Sequence, residues 1–131
     1  VIRNCVIERP GSIGIRVAER NARIEHNTIT GGGVANTIGL RVESAITGAY
    51  IDGNVGHNTG YGIVVNGTDC TIIRNSFGKP VGSQATYQFV AGNRFGPIVR
   101  AASGGLVIMG SVSASAAGSF TTTDPNSNIS Y

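Results

Sequence analysis

The chain has 131 residues, of which only 13% are charged, and a formal net charge of +3. That length fits one domain, a charge so small and unclustered argues against a nucleic-acid surface, and no run approaches the roughly 18 apolar residues of a membrane span. Glycine is the outlier at 20 residues, about twice the usual share of roughly 7%, and with abundant Asn, Thr, Ser and β-branched residues it points to a β protein rich in turns.

The chain opens on a strand-like Val1-Ile2-Arg3-Asn4, without an initiator Met or a secretory signal. A solenoid normally starts with a cap, so the expectation is a C-terminal fragment or processed form of a longer protein. After a loop at Glu8–Ser12 comes Gly14-Ile15-Arg16-Val17, then Ala22-Arg23-Ile24-Glu25 leading to Asn27. The glycine-rich 31–36 loop precedes Gly39-Leu40-Arg41-Val42, and Ala49-Tyr50-Ile51-Asp52 leads to Asn54. Gly62-Ile63-Val64-Val65 is followed by Cys70-Thr71-Ile72-Ile73 and Asn75, and Tyr87 to Val90 by Asn93.

Five asparagines, Asn4, Asn27, Asn54, Asn75 and Asn93, therefore share a frame with intervals of 23, 27, 21 and 18 residues. Three residues before them stand Val1, Ile24, Ile51, Ile72 and Val90; two residues after them stand Val6, Ile29, Gly56, Phe77 and Phe95. An elastic repeat of this length is the mark of a solenoid, whose units bury their apolar faces only by stacking. Three short strands per repeat, with inward pairs such as Ile15/Val17, Leu40/Val42 and Ile63/Val65, define an all-β fold. The expected architecture is a right-handed parallel β-helix of about five coils over 1–102. A small-residue linker (Gly110 to Ser119) and a capping tail that folds back over the last coil complete 103–131. Stacked side-chain amides satisfy one another when buried, so the five asparagines are expected to form a structural ladder.

These features resemble the C-terminal part of right-handed β-helix proteins of the pectate-lyase-like superfold, especially exported bacterial ones of unassigned activity. The likeness rests on the repeat, on Gly96-Pro97-Ile98-Val99 and on the ending Thr123-Asp124-Pro125-Asn126-Ser127-Asn128-Ile129-Ser130-Tyr131. That family commonly ends in Trp-Ala where this chain has Asn126-Ser127. The resemblance implies an extracellular or cell-surface location and polysaccharide as the partner class. It does not fix a reaction, because the superfold hosts lyases, hydrolases, epimerases, phage spikes and adhesins.

The reaction sets of those enzymes are incomplete here. There is no Asp-Asp pair, Gly56-His57-Asn58 echoes only part of a Gly-His-Gly, and Asp52, Asp69 and Asp124 are well separated. No catalytic residue, cofactor or metal site is expected; His26 and His57 have no partner at zinc-ligand spacing. The register stacks Glu25 on Asp52 with carboxyls about 5 Å apart, a spacing retaining glycosidases use, and Arg23 on Tyr50 beside them. On another sheet Arg16 neighbours Arg41, with Glu43 diagonal, and two guanidiniums on one face suit a uronate or sulfate. Arg16, Arg41, Glu43, Arg23, Tyr50, Glu25 and Asp52 are thus the carbohydrate-binding candidates. Cys5 and Cys70 fall three rungs apart, about 14 Å, too far for a disulfide.

The expected function is a non-catalytic module, a rigid scaffold or carbohydrate-contacting surface. Its alternatives are a polysaccharide lyase, hydrolase or epimerase with catalytic residues partly upstream, and a phage tail-spike segment. The first-coil end would receive upstream coils or a second copy.

Overall fold

A computed structural model of the chain describes residues 1–78, 81–82, 85–100, 106–109 and 125–131, with backbone alone at 99–100 and 106–109. The chain is an all-β parallel solenoid of about four turns, with no helix among the described residues. Sheet A stacks β1 (Ile2–Arg3), β4 (Arg23–Glu25), β7 (Tyr50–Asp52), β10 (Thr71–Ile73) and β13 (Arg94–Phe95). Sheet B stacks β2 (Val6–Glu8), β5 (Thr28–Thr30), β8 (Val55–His57) and β11 (Ser76–Phe77), followed by β16 (Asn128–Ser130) and then β14 (Ile98–Arg100). Sheet C stacks β3 (Ile13–Val17), β6 (Ile38–Val42), β9 (Tyr61–Val65), β12 (Ala85–Phe89) and β15 (Leu106–Met109).

The alternation read from the sequence sets the core. Ile24, Ile51 and Ile72 form one fully buried column in register, and Leu40–Ile63–Tyr87 and Val42–Val65–Phe89 form two more. Burying each such side chain stabilises the fold by roughly 1.5–3 kcal/mol. Aromatic rings fill the interior at the C-terminal end, where Phe77, Tyr87, Phe89 and Phe95 follow one another at centroid separations of 6.4, 5.9 and 5.2 Å. Glycine makes room for them. A Cβ on Gly56 would fall 2.3 Å from the Phe77 ring, and one on Gly39 or Gly62 within 2.9 Å of Phe77.

The corner between sheets A and B repeats a two-residue device. Asn4, His26, Gly53 and Arg74 adopt left-handed backbone (φ 55, 53, 63 and 56°). The next residue, Cys5, Asn27, Asn54 or Asn75, then sits at the ladder position. Asn27 donates from Nδ2 to Asn54 Oδ1, and Asn54 from Nδ2 to Asn75 Oδ1, each at 2.9 Å. Asn75 Nδ2 donates in turn to Asn128 Oδ1 at 3.0 Å.

The ladder therefore runs Asn27, Asn54, Asn75, Asn128, and two expected members fall outside it. Asn4 sits one residue early: Ile2, not Val1, pairs with Ile24, and Ile7, not Val6, pairs with Ile29. Asn4 thus takes the exposed left-handed position, while Cys5 takes the rung and donates its backbone N–H to Asn27 Oδ1. Asn93 belongs to the corner between sheets C and A. It follows the left-handed Gly92 (φ 87°) above Cys70, whose backbone N–H it accepts at 2.9 Å, while its own Nδ2 donates to Gly67 and Val90 carbonyls.

The coil boundaries shift with it: five strands stack in each of sheets A and C, with β13, β14 and β15 following the fourth coil. Tyr87 to Val90 does not open a fifth coil; Ala85–Phe89 closes the fourth by pairing with β9. Phe95 then pairs with Ile72 in sheet A rather than following Phe77 in sheet B.

The C-terminal strand β16 is inserted into sheet B. β16 lies between β11 and β14, pairing with both. The linker expected over Gly110 to Ser119 lies outside the described residues, as do Thr123 and Asp124. Cys5 and Cys70 are free thiols, as expected, one exposed and one buried.

Candidate functional site

The outer face of sheet A gathers four of the seven carbohydrate-binding candidates. Short extended strands present residues at alternate positions outward, and the register places Arg23 beside Tyr50 and Glu25 beside Asp52. The Arg23 guanidinium carbon lies 5.3 Å from the Tyr50 ring centroid, within cation–π reach. Its Nε donates to Glu25 Oε1 at 2.9 Å.

Asp52 is nearly fully buried, at 3% exposure, and a buried carboxylate needs a paired charge. Arg74 supplies it. Its Nε donates to Asp52 Oδ1 at 2.7 Å and its terminal nitrogen to Oδ2, the bidentate arrangement that guanidinium geometry favours. Tyr50 adds a longer contact from its hydroxyl to Asp52 Oδ2, 3.4 Å. The Asp52 hydrogen bond and charge push the Arg74 pKa further above its usual value.

Sequence reasoning missed Arg74. Its strand, Thr71-Ile72-Ile73, breaks the outward pattern with Ile73, and Arg74 reaches Asp52 only because the left-handed corner turns it back along the sheet. The signal was an arginine one place beyond the position of an unpartnered aspartate one rung below.

The remaining three candidates lie on sheet C. Arg16 and Arg41 are in register, and one carboxylate bridges them. Glu43 Oε1 accepts from Arg16 Nε at 2.6 Å, and Oε2 lies 3.2 Å from an Arg41 terminal nitrogen. The Arg16 hydrogen bond chiefly lowers the Glu43 pKa below its ordinary 4.5, aided by the charges of both arginines and opposed by desolvation. Arg41 Nε is buried with no hydrogen-bond partner among the described residues. The seven candidates thus form two clusters on two sheets, not one site.

His26 and His57 join neither. The His26 ring lies over Gly53, where an added Cβ would meet it at 2.7 Å, and His57 Nε2 lies 3.4 Å from Thr30 Oγ1. Among the described residues no group of three or more His, Cys, Asp or Glu side chains is placed to hold a metal ion. A hollow of about 540 Å³ opens at the first-coil end, lined by Val1, Ile2, Arg3, Cys5, Arg23 and Glu25. It touches the Arg23–Glu25 edge of sheet A.

Chemically, each cluster presents guanidiniums fixed by carboxylates. Glu25 and Asp52 have oxygens occupied by Arg23 and Arg74, which suits charge display more than proton transfer. Comparison with family models, with curated proteins and with solved structures returned no match.

Proposed function

We propose that the chain is a non-catalytic, rigid β-solenoid module of an exported or cell-surface protein, and that its sheet A face contacts acidic polysaccharide. The pectate-lyase-like resemblance supplies the partner class. One observation carries the reading: Arg23 and Arg74 are pinned by Glu25 and Asp52 yet keep 59% and 48% of their side-chain surface exposed, Arg23 against the Tyr50 ring and Arg74, one rung above, on Asp52. A guanidinium held in place loses little rotamer freedom when it binds, and its free N–H edge matches a uronate carboxylate. The Tyr50 ring beside Arg23 adds an aromatic surface for a sugar to this face. The buried amide ladder keeps these groups at fixed one-rung spacing.

The test is retention on immobilised polygalacturonate, alginate and a neutral glucan, with reducing ends and unsaturated-uronate absorbance followed in parallel. The reading predicts salt-sensitive retention on the uronate polymers, reduced about tenfold by Arg23→Ala and little changed by Arg16→Ala, without turnover. Loss with Arg16→Ala alone would move the contact to sheet C. Equal retention on neutral glucan, or no retention at all, would refute the contact. Turnover of any polymer would establish the enzyme reading in place of the scaffold one.

A further inference from the structure

β16 occupies a gap that the rest of the chain has already built. The floor is β11 and the Asn75 amide; the roof is β14; the back wall is β12. Strand order along the chain would place β14 directly on β11, since β13 pairs directly with β10. Instead a strand from the far end stands between them.

The strand is held through three of its side chains, Asn128, Ser130 and Tyr131, and through its backbone. Asn128 Oδ1 accepts from Asn75 N and Nδ2, both at 3.0 Å, and Asn128 Nδ2 donates to Ile72 O (3.1 Å) and Gly96 O (3.2 Å). Ser130 Oγ lies 2.8 Å from Thr86 Oγ1 in the buried interior. The Tyr87 hydroxyl sits 2.6 Å from Ile129 O. Tyr131 donates its backbone N–H to Phe77 O and lays its ring against Gly78. Gly96 leaves space for the approach: a Cβ there would fall 1.9 Å from Asn126 O. None of these partners lies in the fifteen residues 110–124 that join β15 to Pro125. Those fifteen residues can span at most roughly 50 Å when extended, enough to reach a neighbouring molecule.

We propose that the gap between β11 and β14 is a strand-acceptor site for residues 126–131, and that it takes this strand from a second copy of the chain as well as from its own. The product is a strand-exchanged dimer. It uses the hydrogen bonds of the monomer unchanged, which is why such exchange between identical chains requires no new surface.

Two full-length variants test the site. Asn128→Ala weakens the donor strand and leaves the acceptor intact; Gly96→Val blocks the acceptor and leaves the donor intact. Mixed, they are expected to give a species of twice the monomer mass by native mass spectrometry that neither forms alone. The doubly substituted chain mixed with Asn128→Ala is expected to give none. Monomers alone in the first mixture would overturn the proposal where circular dichroism shows both variants folded. Where either variant fails to fold, the wild-type chain decides. Isotope-labelled and unlabelled chains, warmed together to the unfolding midpoint at high concentration and cooled, should form mixed dimers. A synthetic peptide of residues 125–131 should suppress them, and its Asn128→Ala version should suppress them at least tenfold less. Absence of mixed dimers at every concentration, or equal suppression by both peptides, would overturn it.

Discussion

Asn128 and Asn75 are 53 residues apart, yet Asn128 Oδ1 accepts hydrogen bonds from both the backbone and the side-chain amide of Asn75. Asn75 Oδ1 treats Asn54 in the same way, and Asn54 Oδ1 treats Asn27 likewise. A single amide thus satisfies two donors on the turn below it. Removing one rung leaves both of those buried donors without that acceptor.

That relation gives a mutational contrast. Asn54→Ala strands the Asn27 backbone N–H and the Ile24 carbonyl, and at about 1–3 kcal/mol per orphaned group it should lower unfolding free energy by about 2–6 kcal/mol. Asn4→Ala removes only an exposed residue with left-handed backbone, for about 1 kcal/mol. Urea denaturation of the two variants checks the difference.

Glycine spacing predicts an overpacking penalty. A Cβ on Gly62 would fall 2.6 Å from Thr86 O and 2.9 Å from Phe77, and neither a paired backbone nor a ring locked among aromatics can yield cheaply. Gly62→Ala should destabilise by about 1–3 kcal/mol, although alanine has the better intrinsic backbone entropy. Gly32→Ala, with open space around it, should be near neutral. Thermal melts of the pair measure this.

The two thiols should react at very different rates. Cys5 is exposed, whereas Cys70 is buried and burial pushes its pKa above the ordinary 9.0. Thiolate is the reactive form, so a thiol reagent at pH 8 should titrate one cysteine quickly and the second only on unfolding. Substituting Cys5→Ser should abolish the fast phase.

Acid should weaken the sheet C cluster. Glu43 has its pKa lowered in the native state, so the native state binds its proton less readily than the unfolded chain. Its contribution is complete above the ordinary 4.5 and is lost as pH falls through the lower native value. The stability difference between wild type and Glu43→Gln should therefore be constant at neutral pH and shrink below about 4.5. Added salt should also reduce it, because Arg16, its hydrogen-bonded partner, is solvent-exposed.

Much of this fold is written in local pattern. Alternation in Arg23-Ile24-Glu25 and Tyr50-Ile51-Asp52 is enough to orient sheet A, because side-chain direction in a strand has period two. The corners are harder, since Asn93 carries the same local signature as Asn27, a left-handed residue followed by asparagine. Only the Cys70 and Ala49 column beneath it tells the two corners apart. Asn128 was hidden for another reason. The residue two places on, Ser130, is polar where Ile29 and Phe77 are apolar, and its inward position depends on a hydroxyl partner, Thr86, 44 residues away. The pairs Arg23–Glu25 and Arg16–Glu43 follow from register, whereas Arg74–Asp52 depends on a backbone turn that sequence alone does not display.

Asn128 from the tail completes the amide row. Side-chain amide cross-peaks in a nuclear Overhauser spectrum of the isotope-labelled chain test it directly. Cross-peaks should link Asn27 to Asn54, Asn54 to Asn75 and Asn75 to Asn128, with none between Asn75 and Asn93. A cross-peak from Asn75 to Asn93 in place of Asn128 would contradict it.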